Sequence, residues 1–181
     1  NGAAGGVGSA IFDLCRLEGI EVIGGASSAA KCAVATDLGA AHTVDYSSGN
    51  VADKVLEITD GRGVDLILDQ LVGPDFTDSL RMLAPLGMIL SFNALAGLPE
   101  KELFAEMRAH LGKSPAVRCF SWHSYDANPD ARARVLGEIV DRFASGDLRP
   151  PLHATLPLAE ARKAHEMLDA REILGKIVLK P

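Results

Sequence analysis

Short apolar runs alternate with amphipathic helical stretches along most of this chain, and that alternation restricts the fold more than any other feature of its 181 residues. Helical periodicity is expected over about 7–18, 28–38, 50–59, 74–83, 99–111 and 130–145, with strand-like runs between at 21–24, 42–44, 64–68, 88–92 and 116–120. In the first helix Ile11, Leu14, Cys15 and Leu17 share a side. In the third, Val51, Val55 and Ile58 recur at helical spacing, and in the last Val135, Ile139, Val140 and Phe143 are expected to face inward. Gly39 and Gly61 sit where helices should stop. Strands covered on both faces read as short continuous apolar runs, and right-handed crossovers wind the helices onto both faces. The expected class is therefore α/β, a Rossmann-like doubly wound parallel sheet.

The pattern changes after Gly146. Arg149-Pro150-Pro151 is a break, followed by an extended piece at 152–156, a helix at about 158–170 and a strand at 176–179. Two parts are expected: a dinucleotide-binding domain over 1–149 and a C-terminal segment over 150–181.

The chain opens Asn1-Gly2-Ala3-Ala4-Gly5-Gly6-Val7-Gly8, a glycine-rich turn running into the first helix. Glycines at 5, 6 and 8 let backbone approach a pyrophosphate, and a helix start offers it free N–H groups and a positive dipole end. Such a turn follows a strand, so the sheet is expected to lack its first strand within this chain. The segment after the next strand sharpens the ligand. An NAD site places an acid about 20 residues beyond the glycines, on the ribose 2′-hydroxyl. Here the run is Gly24-Gly25-Ala26-Ser27-Ser28-Ala29-Ala30-Lys31, without an acid. Two hydroxyls and a lysine would accept a 2′-phosphate, which favours NADPH over NADH. A polar loop ahead of a surface lysine is the plainer alternative.

Tyr46 ends the next strand, within reach of an adenosine phosphate; taken by itself it reads first as a half-buried tyrosine at a strand end. Asp69-Gln70-Leu71-Val72-Gly73 and Ser91-Phe92-Asn93 end the two strands after that. In a doubly wound sheet ligands bind at such carboxyl ends. The first turn would lie under the ribose and the second near a nicotinamide. For Asp69 itself, a helix-capping or turn role is the default.

Other chemistries fail on the residues. His165-Glu166-Met167-Leu168-Asp169 lacks the second histidine of a helical zinc pair, and Gly25-Ala26-Ser27-Ser28-Ala29 lacks the last glycine of a nucleophile elbow. The five histidines do not cluster, and no metal site is expected within the chain. Cys15, Cys32 and Cys119 are an odd count at unrelated spacings, expected as free thiols in a reducing, cytoplasmic compartment. A net charge of −6 argues against nucleic acid and anionic membrane as partners. There is no apolar run long enough to span a bilayer, and the opening residues do not form a signal peptide.

Taken in order, these segments resemble the medium-chain dehydrogenase/reductase superfamily, and within it the zinc-independent quinone oxidoreductase-like branch. Gly2 to Gly8 is similar to that family's AxGGVG turn. Ala26-Ser27-Ser28 to Lys31 resembles its NADPH-type loop, and Leu38-Gly39-Ala40 with Val44-Asp45-Tyr46 its LGA…(I/V)(N/D)Y segment. Gly61-Arg62-Gly63-Val64-Asp65 through Asp69 to Val72-Gly73 resembles GxGVDxxxDxVG. Leu83 to Phe92 is similar to its LxxxGxxxSFG strand, and Ala170-Arg171 to Gly175-Lys176-Ile177-Val178-Leu179 to its closing (A/S)R…GKxVL signature. Asn93 stands where the family has glycine, and Gln70-Leu71 is an unusual pair in its turn.

The resemblance implies NADPH as cofactor and hydride transfer to a quinone or an α,β-unsaturated carbonyl, a small electrophilic substrate. It implies that Ala4, Gly5, Gly6 and Val7 hold the pyrophosphate, that Ser27, Lys31 and Tyr46 hold the 2′-phosphate, and that Leu71, Val72, Phe92 and Asn93 position the ribose and nicotinamide. Arg171 and Lys176 would add charge near the phosphates. No catalytic acid is identified. The family carries a barrel-like catalytic domain ahead of the glycine turn, so the chain is expected to be the cofactor-binding part of a longer enzyme, inactive alone. A homodimer is expected through the edge strand 116–120. Two other readings stay open: a zinc-dependent alcohol dehydrogenase with its ligands upstream, and a non-catalytic nucleotide-binding or dimerisation module.

Overall fold

The glycine turn passes directly into helix α1 (Gly6–Leu17), and strand and helix then alternate as β1 (Ile23–Ala26), α2 (Ala29–Asp37), β2 (His42–Asp45), α3 (Val51–Ile58) and β3 (Val64–Asp69). A 3-10 segment over Phe76–Met82 leads into β4 (Leu83–Ser91), followed by α4 (Leu103–Ala109), β5 (Ala116–Cys119) and α5 (Pro129–Ala144). The chain ends with β6 (Leu152–Pro157), α6 (Ala161–Asp169) and β7 (Lys176–Lys180). The structure is a computed structural model and describes all residues except Asn1, Ser48, Pro150, Arg171 and Glu172. It divides into two units, one of Val44–Leu136 and one of Gly2–Thr43 with Gly137–Pro181.

In the Gly2–Thr43 unit the core forms around Phe12, which packs with Ala3, Ala35 and Ala40, flanked by Val22 and Leu38. The side of α1 expected to be apolar is only half-buried at Ile11, Cys15 and Leu17, and Leu14 is exposed. Phe12 takes the inward position because β1 gives it room. A Cβ at Gly24 would lie 3.1 Å from Phe12 Cζ and 3.2 Å from Ala35 Cβ. The Ala3 N–H donates to Gly25 O at 3.0 Å and ties the glycine turn to β1, which pairs with β2.

The C-terminal stretch belongs to this same unit. β6 and β7 pair in parallel, and Gly175 bridges Gly5 beside the turn. The far half of α1 anchors the approach to β6: Asp13 accepts the Arg149 N–H at 2.8 Å, and Arg16 donates to Asp147 O at 2.9 Å.

In the Val44–Leu136 unit β3, β4 and β5 form a parallel sheet with β4 central. Its core is Phe76, Leu80, Leu83 and Ile89, with Ile67, Val72, Leu103, Met107 and Val117 packed against it. The register runs Leu66↔Met88 to Asp69↔Ser91 and Met88↔Ala116 to Ser91↔Cys119. The carboxyl ends of all three strands therefore finish together. With the parallel pairing, the class is the expected Rossmann-like α/β.

Several elements differ from expectation. The stretch expected as a helix over 74–83 is a 3-10 segment, because Gly73 and Asp75 carbonyls accept from residues three along, Phe76 and Asp78. β4 begins early: Leu83 already pairs with Val64, and Ala84–Gly87 then loops out before Met88 rejoins the ladder opposite Leu66. The helix expected from 99 starts at Leu103, where the Glu102 carboxylate caps it by accepting from Phe104 and Ala105 N–H. On α5 the inward stripe is Val135, Ile139 and Arg142, whereas Val140 and Phe143 are exposed, 62% and 47%. Positions 140 and 143 each lie one residue beyond that stripe, about 100° round the helix. No helix among the described residues is long and apolar enough to cross a membrane.

Candidate functional site

At the start of α1, Gly5 takes extended backbone as the N-cap and supplies no side-chain cap. No acid lies in the first turn. The leading N–H groups of a helix have no partner within it, so this end is built to meet an anion. Ala4 is buried, Gly5 and Gly6 are half-buried, and the Val7 side chain is exposed. Gly8 is held close to the preceding backbone: a Cβ there would lie 2.6 Å from Gly2 O and 2.7 Å from the Ala3 carbonyl carbon.

The cation at this turn comes from the other end of the chain. The parallel bridge between Gly5 and Gly175 sets Lys176 beside Gly6. A Cβ on Gly6 would lie 2.5 Å from Lys176 Cε and 2.8 Å from Nζ. An ammonium over a helix start puts like sign against like sign. That arrangement suits a phosphate lying between them, so the residues present fit a pyrophosphate. Beyond β1, Ser28 caps α2 by accepting the Lys31 N–H at 3.3 Å, and Lys31 Nζ reaches back to Ser27 Oγ at 3.4 Å. The cap fixes the first turn of α2, which brings the ammonium of residue 31 over the hydroxyl of residue 27. Both side chains are half-buried.

In the other unit a cavity of about 360 Å³ opens beside the carboxyl end of β3, lined by Tyr46, Leu71, Val72 and residues from the start of α3 and the 3-10 segment. Three expected site residues thus come together around one space. Asp69, Asp75 and Asp78 also line it. Carboxylates accept from hydroxyl and amino groups and repel phosphate, so this cavity suits an uncharged, donor-rich group. Asp69 is 1% exposed and accepts the Leu71 N–H at 2.8 Å, which holds the turn after β3. Asn50 caps α3 at the cavity's other side by accepting from Ala52 and Asp53 N–H. Asn50, Asp75, Asp78 and Ser79 were not expected at the site. An asparagine just before a helical run is a capping signal, but nothing in the linear pattern says that this cap borders a cavity.

Asn93 is exposed and Phe92 half-buried. Their loop is zipped to the turn after β3: Phe92, Leu95 and Ala96 N–H donate to Asp69, Gln70 and Leu71 carbonyls at 3.1, 3.1 and 2.8 Å. At the end of β2, Asp45 accepts both the Ser47 hydroxyl at 2.6 Å and the Ser47 N–H at 2.9 Å, a turn that sets the backbone of Tyr46. Those bonds hold the Asp45 carboxyl below its usual range. Lys101 is raised by its bond to Asp78 at 2.9 Å, and burial raises the Cys15 thiol. Arg171 lies outside the described residues.

The sequence profile of zinc-binding dehydrogenases matches residues 38–179. The chain belongs to the zinc-binding dehydrogenase family. That agrees with the medium-chain dehydrogenase/reductase and quinone oxidoreductase-like relationship implied by its motifs. Among curated family relatives, a Pseudomonas aeruginosa quinone oxidoreductase is 34% identical over 99% of this chain and 54% of its own length. A Burkholderia 2-haloacrylate reductase is 33% identical over the same shares. The chain therefore spans about half the length of the curated relatives it matches. A Pseudomonas syringae quinone oxidoreductase superposes with a TM-score of 0.86 at 33% identity, covering 99% of this chain and 55% of that one. An Escherichia coli quinone oxidoreductase complexed with NADPH superposes at 0.87 with 26% identity, over the same shares. Despite the family's name, no group of three or more His, Cys, Asp or Glu among the described residues is arranged to hold a metal ion.

Proposed function

We propose that this chain is the cofactor-binding part of an NADPH-dependent oxidoreductase that delivers hydride to a quinone or an α,β-unsaturated carbonyl. The observation that carries the cofactor choice is the Ser27–Lys31 pair at the end of β1: a cation 3.4 Å from a hydroxyl where an NAD site would put an acid. A 2′-phosphate gains charge-assisted hydrogen bonds there and meets no repulsion. Ala4, Gly5, Gly6 and Val7 hold the pyrophosphate, with Lys176 as its counter-charge. Leu71, Val72, Phe92 and Asn93 position the ribose and nicotinamide, with Tyr46 beside Leu71 and Val72 at the same cavity, and Arg171 adds charge near the phosphates. NADPH supplies the hydride; the chain's own residues bind, orient and exclude water. The electrophile is suggested by the named relatives, a quinone oxidoreductase and a 2-haloacrylate reductase.

Two copies are proposed to pair through β5, an edge strand of the parallel sheet. Its unpaired backbone groups make it a template for a second strand.

Titration with NADPH and NADH in parallel, followed by fluorescence or calorimetry, tests the cofactor. NADPH is expected to bind at least about tenfold tighter, the value of one or two charge-assisted contacts. Equal or stronger NADH binding would refute the phosphate assignment.

A further inference from the structure

Val72 has a backbone φ of +58°. Four non-glycine residues among those described have positive φ. Asp60 and Ser114 are short polar residues at helix ends, where the left-handed conformation closes the last turn. Leu86 is 81% exposed at the tip of the excursion in β4. Val72 has no such excuse. It is β-branched, and its two Cγ atoms crowd the backbone in this region more than any unbranched side chain would.

The surroundings impose the conformation from every side. Asp69 Oδ1 takes the Leu71 N–H at 2.8 Å, Leu71 O takes the Ala96 N–H at 2.8 Å, and the Gly73 N–H donates to Gly97 O at 3.0 Å. The Val72 side chain packs against the Phe76–Leu80–Leu83–Ile89 core. Residues 71 and 72 both line the cavity. The φ angle at 72 sets the direction of the peptide between them and so the angle at which both enter that space. Strain of this kind persists only where the neighbourhood over-determines it, and it collects at ligand sites.

We infer that Val72 is a positioning residue: its strained backbone holds the turn after β3 in the ligand-binding geometry, at a cost in stability. This rests on the cofactor reading above, and it concerns how the turn is set, not which atoms the cofactor touches. A side chain at 72 keeps the turn in one conformation because packing pins it. Glycine would relax the strain but release the turn into several conformations, of which the binding one is a fraction.

The test compares Val72→Ala with Val72→Gly in melting temperature and in NADPH dissociation constant. Both variants lose the two Cγ methyls, glycine losing the Cβ as well, but only glycine sheds the left-handed strain. Val72→Gly is expected to melt about 2–4 °C above Val72→Ala. Its NADPH affinity is expected to be about tenfold weaker than that of Val72→Ala. Opposite rank orders in stability and affinity support the role. The same rank order in both, or Val72→Gly melting below Val72→Ala, overturns it. Absence of NADPH binding by the unsubstituted protein overturns the cofactor reading itself and the role with it, whatever the melting order.

Discussion

The side chain of Lys176 lies across Gly6, so close that a Cβ at position 6 would fall 2.8 Å from its ammonium nitrogen. Gly6 is thus glycine for two neighbours: the ligand its motif anticipates and a lysine from β7. An added methyl would meet the far end of a flexible chain, which can swing aside. Gly6→Ala should therefore cost less than about 1 kcal/mol in stability while lowering NADPH affinity about tenfold. The loss should shrink in a Lys176→Ala background, where there is no ammonium left to displace. Urea denaturation and titration of the two single variants and the double variant measure both effects; additive losses in affinity would uncouple the two residues.

Gly8 makes the contrast. A methyl there would press on the backbone of Gly2 and Ala3, which has no flexible end to yield. Gly8→Ala should destabilise by about 1–3 kcal/mol, read as a drop in the urea midpoint. A variant as stable as the parent would mean that the turn is looser than its geometry.

Reversing the charge at position 31 should discriminate between cofactors. Lys31→Glu sets a carboxylate beside Ser27, where a 2′-phosphate would sit. NADPH affinity should fall by about 10²-fold, and NADH affinity should change by less than about threefold. Parallel titrations decide it, and equal losses for both nucleotides would reduce Lys31 to a surface residue.

Asp45 should report its turn through pH. The Ser47 hydroxyl first, and the Ser47 N–H second, favour its ionised form and lower its pKa. A depressed folded-state pKa contributes stability that is present above the unfolded value and is lost as pH falls through the folded one. The Asp45 carboxyl carbon, followed by NMR, should therefore titrate below an ordinary aspartate. Ser47→Ala should move that midpoint up toward the ordinary value; an unmoved midpoint would mean that the bonds to Ser47 do not hold it.

Asp69 is a buried carboxylate whose loss should be felt. Asp69→Ala removes the acceptor for the Leu71 N–H and should cost about 1–3 kcal/mol by urea denaturation. A smaller loss would place the hold on this turn in the Ala96 and Gly97 bonds instead.

Periodicity and punctuation made most of the fold legible. Val51, Val55 and Ile58 announced α3, and Asn50 and Ser28 stand where caps belong. Elements failed where distant partners outweighed local preference. Phe76–Met82 has helical spacing but runs as a 3-10 segment into a strand, because Leu83 pairs with Val64 nineteen residues back in sequence. Val140 and Phe143 are apolar, yet the inward stripe of α5 passes through Val135, Ile139 and Arg142.

For the site, local pattern carried the glycine turn and the Ser27–Lys31 pair, since a turn into a helix and a four-residue helical spacing are both short-range geometry. Lys176 beside Gly6 and the gathering of Tyr46, Leu71 and Val72 around one cavity depend on strand pairing across long stretches of chain. Val72 marks the boundary most sharply. Its sequence position names it as a turn residue. Its left-handed backbone arises because Asp69, Ala96, Gly97 and the Phe76 core together outweigh the preference of a β-branched side chain, and no linear pattern encodes that sum.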